Sequence, residues 1–144
     1  RDPAERIREW ASLPIGVVSV AERHGGLHVS PEMFEAMVME SAAALAPFAA
    51  RAAPARHARN FHLLGTSGTV TTVAGVYLGL ERYDRRQVDG LWMSDAEVEE
   101  TMRDLVALSY EERAANACIG KERADLVLAG CAIYEAIRRA YLGY

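Results

Sequence analysis

Cysteine and long apolar runs are scarce in this chain of 144 residues. The two cysteines, Cys118 and Cys131, have neither metal-ligand nor disulfide spacing, so we expect two buried thiols. The longest apolar run, Leu126 to Ile133, is interrupted by Gly130 and is far shorter than the roughly 18 residues of a membrane span. The sequence therefore predicts a soluble protein with no membrane partner.

A basic surplus and an apolar leader are also lacking. The net charge of −4 and the pI near 5.6 exclude a broad nucleic-acid interface, so an anionic ligand would have to be held locally. The first residues, RDPAERIREW, are charged where a secretory signal is apolar, which favours the cytoplasm. With 51% hydrophobic and 25% charged residues, the composition is typical of one globular domain.

Two segments have the composition of β-strands. Residues 12–20, SLPIGVVSV, join a continuous apolar stretch to β-branched valines, and residues 60–67, NFHLLGTS, have the length of a short buried strand. Helices alternate with and follow these segments. The pattern predicts an α/β fold in which a small, incomplete parallel sheet of two or three strands is flanked by helices.

Helix starts are marked by capping residues. Ser30 followed by Pro31 predicts a helix with an apolar stripe, which Pro47 ends or kinks. Capping boxes predict two more helices, and GTVTTVAGVYLGL and KERADLVLAGCAIYEAIRRAYLG have helical length. The stripe consists of Phe34, Met37, Val38, Ser41, Leu45 and Phe48. The capping boxes are Ser94 with Glu97 and Ser109 with Glu112. The last helix is predicted to end at Arg138, Arg139 and Gly143.

The segment from Leu64 to Thr72, LGTSGTVTT, is the most specific feature of the chain. Glycines permit close approach of a ligand to the backbone, and the first N–H groups of a helix are unpaired and attract anions. The predicted phosphate-binding residues are Gly65, Thr66, Ser67, Gly68 and Thr69. A tight turn whose threonines only cap the helix explains the same spacing, and neither a Walker loop nor a Rossmann fingerprint is present.

Other polar groups are weaker candidates. His24 and His28 have the spacing of a zinc pair, but two glycines lie between them and no further ligands accompany them. His62 could face a ligand or make an ordinary hydrogen bond. Arg51, Arg56, His57 and Arg59 form a basic connector, which is either a solvated loop or a rim that attracts anions. No catalytic residue and no metal ligand is assigned.

Five segments in order resemble the second lobe of the Ppx/GppA phosphatases, the exopolyphosphatases and guanosine pentaphosphate phosphohydrolases of the actin-like ATPase superfamily. These segments are SLPIGVVSVAE, GTSGTVTT, LERYDRRQVDGLWMS, LSYEERAAN and ERADLVLAGCAI. The resemblance covers the chain from about Leu13 to Leu142, and it lies in the order and spacing of the segments.

The resemblance implies a ribonuclease-H-like lobe beside an interlobe cleft. It also implies magnesium-assisted hydrolysis of the terminal phosphoanhydride of polyphosphate or guanosine pentaphosphate (pppGpp). On this resemblance Gly65, Ser67, Gly68 and Thr69 belong to a glycine-threonine loop that faces the cleft.

The family's first-lobe carboxylate and its DxGGGSxE phosphate loop do not occur here. Residues 1–144 are therefore expected to form one partial lobe, inactive alone and completed by a first lobe of the same protein, because phosphoryl transfer needs metal charge and an oriented nucleophile. A homodimer would cover exposed edges. The alternative hypothesis is a non-catalytic module that binds a phosphorylated nucleotide or a partner.

Overall fold

A computed structural model of the chain describes residues 7–142. Within this range the regular structure is entirely helical. Seven α-helices and one short 3-10 helix follow one another: α1 (Val17–His24), α2 (Pro31–Arg51), the 3-10 helix (Ala53–His57), α3 (Gly68–Tyr77), α4 (Arg85–Val88), α5 (Asp95–Ala107), α6 (Tyr110–Ala115) and α7 (Val127–Tyr141).

The predicted α/β fold, a ribonuclease-H-like lobe with a small sheet, is therefore wrong: no strand occurs among residues 7–142. The last four residues of the first predicted strand, 17–20, lie in α1, which buries Val20 and Ala21. A short apolar run cannot be assigned to a strand or a helix by periodicity, and burial outweighs the modest strand preference of valine. The second predicted strand, residues 60–67, is irregular and mostly exposed.

Helix starts were predicted more accurately than strands. The Ser30 side chain accepts a hydrogen bond from the Met33 N–H at 3.1 Å, and both predicted capping boxes form. Pro47 lies inside α2, which continues to Arg51, so the expectation that it could end the helix is wrong. The last helix starts at Val127 instead of Lys121, and its predicted end at Gly143 lies outside the described residues.

Helix α7 lies between the two parts of the hydrophobic core. One part joins it to α1 and α2, and the other joins it to α3 and α5. The prediction that the last helix is buried between other elements is confirmed for α7. The first part comprises Val20, Ala21, Met37, Val38, Ala129, Ala132 and Ala136, and the second comprises Val73, Val98, Met102, Leu105, Ile119, Ala124, Val127, Leu128 and Cys131.

Helix α2 is long and apolar enough to cross a membrane, with a mean hydropathy of 1.2. The core helix of a soluble protein meets the same criterion when it is mostly buried, whereas 22% of the apolar window of α2 is buried. Helix α2 packs against α7, and its buried residues are Met37, Val38, Ser41 and Leu45. Cys118 and Cys131 are both buried free thiols, as predicted. Burial raises the pKa of the Cys131 thiol to about 12.

Candidate anion-binding site

The predicted phosphate loop, residues 65–69, leads directly into α3. Ser67 is the N-cap, and its hydroxyl accepts a hydrogen bond from the Val70 N–H at 3.4 Å. The Thr71 hydroxyl donates to the carbonyl oxygens of Ser67 at 3.2 Å and Gly68 at 3.1 Å. The cap of α3 is therefore Ser67, and not a threonine as the simpler interpretation of the sequence expects, because the Thr71 hydroxyl bonds to carbonyl oxygens within the first turn.

The first turn of α3 still offers hydrogen-bond donors to solvent. Residues 65–68 are exposed. The N–H groups of Gly68 and Thr69, the first two of the helix, have no hydrogen-bond acceptor within residues 7–142. Since α3 has 10 residues, its dipole adds a partial positive charge at this end. We call this surface, formed by residues 65–69, the anion-binding corner. An anion bound there would accept hydrogen bonds from both N–H groups.

Thr69 and Gly65 are constrained by the packing around them. A Cβ atom on Gly130 would overlap the Thr69 Oγ1 atom, so the Thr69 side chain lies against the backbone of α7. Thr69 therefore offers its backbone N–H to the exposed corner, while its hydroxyl faces α7. A Cβ atom on Gly65 would lie 2.6 Å from Val70 Cγ1, so the loop reaches the helix only with glycine at position 65.

Arg123 lies next to the loop. A Cβ atom on Gly68 would be 3.5 Å from the Arg123 NH1 atom, so the guanidinium group lies beside the first residue of α3. Arg123 is exposed, and it has no ion pair within the described chain. In the sequence Arg123 belongs to the segment KERADLVLAGCAIYEAIRRAYLG, which predicts a helix and gives this residue no role. No spacing rule could have found it, because the tertiary fold alone brings residues 68 and 123 together.

The other candidate residues are separate from this corner. His24 contacts Glu40 of α2, with 2.6 Å between Nε2 and Oε2, and therefore has a carboxylate partner in place of a metal. His62 Nδ1 donates to the Asn60 carbonyl oxygen at 3.2 Å, and its ring lies 5.0 Å from that of Trp92. The basic connector is exposed, and Arg51 pairs with Glu9 at 3.3 Å.

Magnesium, which the sequence resemblance implies, finds no ligand set in the described part of the chain. No group of three or more His, Cys, Asp or Glu side chains is arranged to hold a metal there. The corner instead presents donors: the N–H groups of Gly68 and Thr69 and the Arg123 guanidinium. Donors of this kind bind anions, whereas magnesium requires oxygen ligands that accept.

The corner can therefore hold an oxyanion such as a phosphate group without a metal from this chain. Compared with known proteins, the chain matches no family model, no curated protein and no solved structure.

Proposed function

We propose that this chain supplies the phosphate-binding wall of a phosphohydrolase that releases the terminal phosphate of polyphosphate or guanosine pentaphosphate. The observation that carries the proposal is the meeting of the exposed N-terminus of α3 with the Arg123 guanidinium. A guanidinium group and free helix N–H groups are the donors that phosphate oxygens accept best. The order of the sequence segments that resemble the Ppx/GppA phosphatases supports the choice of substrates.

In this proposal the anion-binding corner binds and orients a phosphate group of the substrate, and the residues that carry out the hydrolysis lie outside this chain. The N–H groups of Gly68 and Thr69 and the guanidinium of Arg123 would hold the oxygens of a phosphate group. Binding of this kind lowers the barrier to phosphoryl transfer by positioning and by neutralising charge. The water-activating base, magnesium and its ligands would come from residues outside this chain, from the first lobe expected in the same protein.

The binding step is tested by titrating the chain with inorganic triphosphate in a calorimeter. We expect Arg123→Leu to weaken binding roughly tenfold, because a charge-assisted hydrogen bond contributes about 1.5 kcal/mol. The matched control is Arg82→Leu, an exposed arginine outside the corner, which should leave the affinity within about twofold. Triphosphate that does not bind, or that binds equally well to Arg123→Leu, would contradict the proposal.

The assignment of phosphate binding to this chain, and of hydrolysis to residues outside it, is tested by measuring phosphate release. The 144 residues alone should bind triphosphate and release no phosphate from polyphosphate or pppGpp. Turnover by these residues alone would refute the assignment of the base and metal to another segment. If the chain joined to its first lobe also binds without turnover, the alternative of a non-catalytic module that binds phosphorylated nucleotides is correct instead.

A further inference from the structure

A cavity of about 660 Å³ lies beside the anion-binding corner. We call it the loop cavity, because it lies between the irregular segment 61–66, helix α3, the segment 83–93 and helix α7. It shares Gly65 and Thr66 with the corner, but Ser67, Gly68, Thr69 and Arg123 do not line it. Its volume falls within the range of about 300 to 1,000 Å³ that is typical of small-molecule sites.

The lining of the loop cavity is largely apolar and aromatic. Val73 and Val98, both buried, contribute apolar side chains from α3 and α5. Four aromatic side chains come from three parts of the chain: Phe61 from segment 61–66, Tyr83 and Trp92 from segment 83–93, and Tyr134 from α7. Aromatic rings from several directions favour a flat ring, because stacked and edge-to-face contacts both become available to it.

Trp92 lines this cavity, and most of its surface is exposed to solvent. Its exposed fraction is 74%, and the neighbouring Leu64 is 86% exposed. The His62 ring lies 5.0 Å from the Trp92 ring at an interplanar angle of 57°, so the two rings are tilted and do not cover each other's faces. A planar ligand would remove apolar surface of Trp92 and Leu64 from water, which is the main source of affinity for such ligands.

The charges around the loop cavity balance. Its charged lining residues are two arginines and two aspartates: Arg85, Arg138, Asp89 and Asp95. Arg138 is buried, and its Nε donates to Asp95 Oδ1 at 2.7 Å, while its NH1 donates to Glu135 Oε2 at 2.5 Å. A charged ligand therefore gains little from the lining, and it would lose hydration on entry.

We propose that the loop cavity binds an uncharged planar aromatic ring, which packs against Trp92 between segment 61–66 and segment 83–93. This site is independent of the proposed phosphate function. An uncharged ring needs no cation, and none of the residues that distinguish the anion-binding corner is required for it.

The test uses caffeine, an uncharged planar bicyclic ring, with protein labelled with 5-fluorotryptophan. The chain has two tryptophans, Trp10 and Trp92, which are exposed to similar extents of 79% and 74%. The fluorine resonance of Trp92 should shift with caffeine and saturate, whereas that of Trp10 should not move. Cyclohexanol, which is apolar but not flat, should cause no saturable shift.

Variants give the second measurement. Trp92→Ala should weaken caffeine binding about tenfold or more, and Trp10→Ala, the matched control, should leave it within about twofold. Both residues are exposed, so both variants should fold, which circular dichroism checks. The proposal is overturned if Trp92 does not shift, if Trp10 shifts equally, or if the shift depends on protein concentration, which would mean that a second copy fills the cavity. Inorganic triphosphate should not displace caffeine, so each proposal can fail without the other.

Discussion

Arg113 is the most deeply buried cation that lacks a carboxylate partner among the described residues. Its exposed fraction is 1%, and its guanidinium donates to four backbone carbonyl oxygens: Ala124 at 2.9 Å, Leu108 at 3.0 Å, Gly26 at 3.0 Å and Leu27 at 2.8 Å. Burial lowers the pKa of Arg113 from its usual value. The planar guanidinium group of Arg113 thus links the turn after α1 to the segments on both sides of α6.

Replacing Arg113 is expected to destabilise the protein. Arg113→Leu leaves four carbonyl oxygens without their donor, and we expect a loss of about 3 kcal/mol or more in the free energy of unfolding, because unsatisfied buried groups cost about 1–3 kcal/mol each. Arg113→Lys should recover only part of this, because an ammonium group cannot span the four oxygens. Urea denaturation followed by circular dichroism measures both variants.

The control for this prediction is Arg86→Leu. The Arg86 side chain is 91% exposed and pairs with Asp84 of its own segment, so its loss should change the free energy of unfolding by less than about 0.5 kcal/mol. Stability of Arg113→Leu equal to that of Arg86→Leu would show that the four hydrogen bonds contribute nothing.

At the scale of elements, α3 and α7 approach each other through one small residue. Gly130 is the fourth residue of α7, and glycine within a helix is unfavourable by about 1 kcal/mol relative to alanine. The Thr69 side chain occupies the space that a Cβ atom would need. The contact therefore places the first turn of α3, and with it the anion-binding corner, against α7.

A double-mutant cycle tests this contact. Gly130→Ala should destabilise the protein by about 1–3 kcal/mol despite its better helix propensity, because the added methyl group overlaps Thr69. Combining it with Thr69→Ala removes the overlapping atoms and should restore most of that loss, which corresponds to a coupling energy of about 1 kcal/mol or more. Urea midpoints of the four proteins give the coupling, and strictly additive effects would show that the two residues do not touch.

The helix starts depend on contacts between residues close in the sequence, so they could be predicted. The first strand prediction is wrong because the structure of that segment depends on contacts with distant residues. Ser94 with Glu97 and Ser109 with Glu112 act within one turn, so their roles follow from the sequence alone. Helix α1 depends on the burial of Val20 and Ala21 in the core part shared with α2 and α7. That packing partner is far away in the sequence, so composition could not reveal it.

At the scale of the whole molecule, ion pairs hold α2 between its neighbours. Glu35 accepts two hydrogen bonds from Arg139 of α7, at 2.6 and 2.9 Å, and Glu40 pairs with Arg23 and His24 of α1. The hydrogen bond from Arg139 lowers the pKa of Glu35, and the hydrogen bond from Arg23, followed by that from His24, lowers the pKa of Glu40.

These lowered pKa values predict loss of stability in acid. Because the folded state holds the two protons less tightly than the unfolded state, the stabilisation is complete above the ordinary carboxyl pKa of 4.5 and is lost as the pH falls through the folded pKa values. In the double variant Glu35→Gln/Glu40→Gln, the free energy of unfolding should be about 1 kcal/mol lower at pH 7 and should fall less steeply below pH 4.5.

Urea denaturation at a series of pH values measures this dependence. Glu122→Gln is the control, because Glu122 is exposed and has no ion pair within residues 7–142. Its pH profile should match that of the unchanged protein. An equally steep acid dependence in the double variant would mean that other carboxylates control the acid unfolding.

Several apolar side chains on the surface are relevant to the question of whether a partner chain packs there. Ile7, Trp10, Leu64 and Trp92 are each more than 70% exposed. A contiguous exposed apolar patch marks a surface on which a second chain can pack, whereas scattered apolar residues are normal on protein surfaces. The homodimer, the first lobe and the cytoplasmic location remain predictions from the sequence.

The sequence by itself determined the properties that act over one helical turn or less. These are the caps at Ser30, Ser94 and Ser109 and the glycine-threonine start of α3. Only the tertiary structure decided that the apolar run before His24 is a helix and that Arg113 is buried. It also decided that Arg123 lies beside Gly68. The physical reason is range: capping hydrogen bonds join neighbours in the chain, whereas burial and charge pairing depend on which distant segments the folded core brings together.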